Sequence, residues 1–78
     1  MQEELILKIA NLMTEQTAAF TSLESLTGQL VKALVRSEPN LIESLSRTGE
    51  GELRRMRSRL LEITTSLTAF SDINRQEN

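Results

Sequence analysis

From Leu5 to Val35 the apolar residues, read in sevens, fall on three adjacent rows: Leu5, Leu12, Ala19, Leu26 and Ala33; Ile6, Met13, Phe20 and Leu34; Ile9, Leu23 and Leu30. Only Gln16 and Thr27 interrupt the face. Side chains three and four apart lie above one another on a helix, whereas a strand alternates every second residue, so the pattern predicts one long amphipathic helix over about residues 2–36. Charge placement agrees with it. Glu3 and Glu4 lie at the positive end of the helix dipole, Lys32 and Arg36 at the negative end, and Glu4 and Lys8 are spaced to pair one turn apart. Gly28 is the weak point inside it, costing up to about 1 kcal/mol relative to Ala.

Residues 37–40, Ser-Glu-Pro-Asn, mark the boundary. A residue before proline avoids the α region, Pro fits the first turn of a new helix, and Ser37 or Asn40 is suited to cap it. Beyond the turn, Leu53, Met56, Leu60, Ile63, Leu67 and Phe70 are spaced three, four, three, four, three. Stepping that seam backwards reaches Ile42, so one helix over about 39–73 is predicted. The alternative is a break at 48–51, where Gly49 and Gly51 stand two apart. The polar tail from Asp72 to Asn78 is expected to fray.

The fold class that follows is all-α: a single domain, residues 1–78, built as an antiparallel two-helix hairpin. Each stripe is wider than one neighbouring helix covers. Rows such as Leu5, Leu12 and Leu26 on the first helix, and Leu61 and Ile73 on the second, are expected to need another surface. Dimerisation into a four-helix bundle would supply it, and so would a partner protein.

Composition narrows the function by exclusion. At 78 residues a single core is barely sufficient, so help from a partner is reasonable. There is no Cys and no His, which removes disulfides, thiolate metal sites, the commonest general base and the commonest nucleophile pair. Gly49 and Gly51 make no phosphate loop. Neighbouring carboxylates, Glu3 with Glu4 and Glu50 with Glu52, read as solvated charge. A non-enzyme without cofactor or metal is expected. The net charge of −2 argues against general attraction to nucleic acid or anionic membrane. The start, Met1-Gln2-Glu3-Glu4, is acidic where a signal peptide is basic, and no run approaches the roughly 20 apolar residues of a membrane span, so the expected location is cytoplasmic.

Arg47, Arg54, Arg55, Arg57 and Arg59 form the one charge cluster, set against Glu50 and Glu52. A phosphate or acidic-partner contact is the functional reading. An ordinary polar face, with Glu50 and Arg54 paired one turn apart, is the plainer one. Gln16 and Thr27 lie on the apolar stripe and either set the register, as a single polar core residue does in coiled coils, or sit at the interface edge. Met13, Met56 and Phe20 read as core, although Met also suits surfaces that adapt to several partners.

A long amphipathic helix, the turn of residues 34–43 (LVRSEPNLIE), and a second long helix bearing residues 53–60 (LRRMRSRL) and ending near Asn74-Arg75 together resemble the FlgN-type flagellar export chaperones. Small hairpin co-chaperones of virulence type III secretion systems are similar in outline. The resemblance implies a hairpin that keeps filament or hook-associated export subunits soluble and delivers them to the export machinery. Those chaperones are usually longer, with a C-terminal segment that binds substrate, whereas the sequence here runs only a little past the expected second helix.

The function expected is a non-enzymatic helical interaction protein, a chaperone or adaptor of a type III export apparatus, flagellar or virulence. A partner helix would lie in an apolar groove beside Leu5, Leu12, Phe20, Leu26, Ile63 and Leu67. The alternative is a structural homodimer whose four-helix bundle uses up the stripe. A weaker one is a nucleic-acid-binding regulator using the arginine cluster.

Overall fold

A computed structural model describes residues 2–77, which form two helices, α1 (Gln2–Val35) and α2 (Pro39–Glu77), packed antiparallel on one another. The hairpin is a rod with extents of 60 × 15 × 14 Å. Gln2 reaches Asn74, Gln16 reaches Arg59, and Gly49 lies against Leu26, so the register runs without a slip from the free ends towards the turn.

The turn closes by backbone hydrogen bonding. The Glu38 N–H donates to Ala33 O at 3.0 Å and the Ser37 N–H donates to Leu34 O at 3.1 Å, the paired bonds that satisfy the last carbonyls of a helix when the next residue turns left-handed. Ser37 is that residue, with φ of 54°. Ser37 therefore ends α1 and does not cap α2. The first bond of α2 runs from the Ile42 N–H to Glu38 O, which puts Pro39 at its first helical position, where a missing N–H costs nothing.

Residues 48–51 do not break α2, and the chain stays helical past Ile73 to Glu77. Gly49 is buried, and a Cβ built on it would stand 3.0 Å from Leu26 Cδ2. Glycine at this point thus permits a close approach of the two helices.

The seam between the helices repeats every seven residues. On α1 it holds Leu5, Ile9, Leu12, Gln16, Ala19, Leu23, Leu26, Leu30 and Ala33, all buried or half-buried. On α2 it holds Ile42, Leu45, Gly49, Glu52, Met56, Arg59, Ile63, Ser66, Phe70 and Ile73, likewise buried or half-buried. Leu53, Leu60 and Leu67, expected on this seam, lie outside it. The other half of the α2 seam is the row of Glu52, Arg59, Ser66 and Ile73, and small residues (Ala19, Ala33, Gly49, Ser66) occupy several of the tightest places. Among the described residues six apolar side chains are buried and twelve large ones are exposed, so the hairpin itself leaves many large apolar side chains uncovered.

Candidate protein-binding flank

A helix pair has two flanks, one on either side of its seam, and here they differ in kind. On the first, Lys8 lies 4.0 Å from Glu62, and Arg59 Nε lies 3.6 Å from Glu15 Oε2. Arg59 also donates to Gln16 Oε1 at 2.8 Å, while the Gln16 amide donates to Met56 O at 2.9 Å. Gln16 is 9% exposed, and among the described residues no buried side-chain nitrogen or oxygen lacks a partner. The amide is therefore a seam residue whose hydrogen-bonding capacity is met from the opposite helix, as a register-setting polar group requires. Thr27 plays no such part: it is exposed and its hydroxyl donates to Leu23 O at 2.8 Å, within its own helix.

The second flank is apolar. Ile6, Met13 and Phe20 stand one step round α1 from the seam, and Leu53, Leu60 and Leu67 stand one step round α2. Ile6, Ala10 and Met13 share a shallow depression with Leu67 and Phe70, which places the two rows on the same side of the molecule. Five of the six large side chains in these rows are between 43% and 58% exposed, and Leu67 is 41% exposed. Towards the turn, Val31, Leu34 and Val35 are exposed as well.

The residues expected to line a groove divide between seam and flank. Phe20 and Leu67 lie on the apolar flank. Ile63 is 5% exposed and buried against α1, and Leu5, Leu12 and Leu26 are half-buried in the seam, where α2 covers them. The expectation that Leu5, Leu12 and Leu26 need an outside surface is thus corrected, because the hairpin turns that row inwards. Ile6, Met13, Leu53 and Leu60 take their place as the uncovered residues. Leu61, 69% exposed, faces outwards as expected, and Ile73 is half-buried.

The arginines part company too. Arg47 pairs with Glu43 at 2.5 Å, Arg55 pairs with Glu52 at 2.7 Å, and Arg59 turns inwards to Glu15 and Gln16. Glu50 and Arg54, expected to pair, do not. Arg54 and Arg57 are exposed and make neither an ion pair nor a side-chain hydrogen bond among the described residues. They lie beside Leu60 and Leu61 in one depression and beside Leu53 and Glu50 in another.

Among the described residues no group of three His, Cys, Asp or Glu is placed to hold a metal ion, and no helix is long and apolar enough to cross a membrane. No protein-family model matches the chain, and neither does any curated protein or solved structure. The likeness to FlgN-type chaperones therefore rests on the helix lengths and turn pattern alone.

Proposed function

We propose that this chain is a non-enzymatic helical interaction protein, a chaperone or adaptor of a type III export apparatus, that holds an apolar helix of its client. The observation that carries the reading is the apolar flank. Two rows of large side chains, Ile6, Met13 and Phe20 beside Leu53, Leu60 and Leu67, run side by side along a rod too thin to bury them. Contiguous exposed apolar surface of this kind marks an interaction site, and two parallel helical rows form the trough into which a third helix packs. The export pathway is supported by the resemblance in layout, and the helix-binding mode by the flank.

The test is a solubility assay. A purified filament or hook-associated subunit is brought to aggregating conditions with the wild-type chain and with Leu60→Asp. The wild type suppresses light scattering and Leu60→Asp does not, while circular dichroism shows both helical. Equal aggregation with and without the chain would remove the chaperone reading. A dimer in light scattering that Leu60→Asp dissociates would replace it with the structural four-helix bundle, whose two-fold contact would use the same flank.

A further inference from the structure

The apolar flank has two edges, and their charge is unequal. One step further round α1 stand Ala10, Thr17 and Glu24, neutral over the stretch from Ile6 to Phe20 and acidic only towards the turn. The corresponding row of α2 holds Glu50, Arg57 and Thr64, with Arg54 a further step round beside Arg57; both arginines are exposed and, among the described residues, neither pairs with a carboxylate, so two guanidinium groups stand here against one glutamate. The two arginines line one depression with Leu60 and Leu61 and another with Leu53 and Glu50. Every other arginine between Arg47 and Arg59 is already engaged with a glutamate. From this asymmetry we infer that the occupant of the flank is an amphipathic helix with carboxylates along one edge of its apolar stripe, seated so that this edge lies over Arg54 and Arg57. The inference deepens the helix-binding reading and rests on it. The apolar rows supply the attraction, and the arginine pair sets which way round the client helix lies, because exposed charges contribute more to orientation and partner choice than to affinity. A duplex fits the arginines less well. Phosphates would leave the adjoining leucines uncovered, the chain is net negative, and no aromatic side chain adjoins the pair to stack on bases.

The experiment uses the full chain and three fluorescein-labelled peptides of one helical design, a heptad leucine stripe edged with Glu, Gln or Lys, read by anisotropy at low and high salt, with a labelled DNA duplex alongside. The Glu-edged peptide is expected to bind about tenfold more tightly than the Lys-edged one at low salt, with the gap narrowing at high salt. In Arg54→Gln/Arg57→Gln the gap closes while the Gln-edged peptide binds as before, and Leu60→Asp loses all three. If the three peptides bind the wild type equally and Leu60→Asp still abolishes binding, the charged-edge inference is overturned and the helix-binding flank stands. If no peptide binds, the flank reading itself is overturned. Tight binding of the duplex that depends on Arg54 and Arg57 would assign the pair to phosphate. A dimer dispersed by Leu60→Asp would make a second copy the occupant. Either result would overturn the inference.

Discussion

Arg59 of α2 donates to the side-chain oxygen of Gln16 of α1 at 2.8 Å, and the Gln16 amide spans the seam to Met56 O at 2.9 Å. One buried amide is thereby held from the facing helix by both of its ends. Removing it leaves Arg59 only Glu15 as a partner and opens a hole in the seam. Gln16→Ala is expected to lower stability by about 1–3 kcal/mol in urea unfolding. A change under about 0.5 kcal/mol, the range of ordinary surface substitutions, would mean that the amide does not tie the helices together.

Ser37 adopts φ of 54° at the place where helices most often end on glycine. A side chain in this conformation is strained, and glycine is not. Ser37→Gly should therefore raise stability by about 0.5–1 kcal/mol, seen as a higher melting temperature. An unchanged or lower melting temperature would show that the turn carries no such strain.

Two glycines within helices offer a contrast. A Cβ at Gly28 meets nothing within 4 Å, whereas at Gly49 it meets Leu26 Cδ2 at 3.0 Å. Gly28→Ala is expected to stabilise by up to about 1 kcal/mol from helix propensity alone. Gly49→Ala has the same propensity gain set against a displaced leucine, so it should fall below Gly28→Ala by about 1 kcal/mol or more. Equal effects in thermal melts would indicate that the helices stand further apart at Gly49 than described.

Seam and flank leucines should respond differently to charge. Leu12→Asp puts a carboxylate into the half-buried seam and is expected to cost at least about 3 kcal/mol, enough to dissolve much of the helical circular dichroism of so small a fold. Leu60, 53% exposed, should tolerate Asp within about 0.5 kcal/mol. Comparable losses in the two variants would reveal that the flank is internal to a larger assembly.

The contrast between Leu60 and Arg59 also explains what could be read from the chain and what could not. Heptad spacing located both helices, and Pro39 located the turn, because periodicity and proline act locally. The face that α2 presents to α1 is a property of the pair. Apolarity favoured the row of Leu53, Leu60 and Leu67, yet the hairpin turns half-buried Glu52 and Arg59 and buried Ser66 into the seam beside Met56 and Ile63. Two influences outweigh leucine size: Gly49 and Ser66 allow close approach, and Gln16 needs a polar partner that Arg59 provides. A signal was present in that need, since a glutamine on an apolar stripe calls for a donor or acceptor opposite. Among the suggested groove residues, Phe20 and Leu67, which the spacing also allowed as core and seam, lie uncovered, while Leu5, Leu12, Leu26 and Ile63 are turned inwards by the same rotation.

The link of three residues between the helices, 36–38, sits at one end of a rod 60 Å long. Positions nearer to it, such as Leu26 and Gly49, meet by closing a much shorter loop than Gln2 and Asn74, which meet only by closing nearly the whole chain. Loop-closure entropy therefore falls hardest on the pairs furthest from the link. Unzipping should begin at the open end and travel towards the turn, giving amide hydrogen exchange that slows steadily from Ile6 and Phe70 to Leu30 and Leu45. The stretch where Ile6 and Leu67 adjoin lies next to the end expected to open first, so whatever settles there would also clasp the two helix ends.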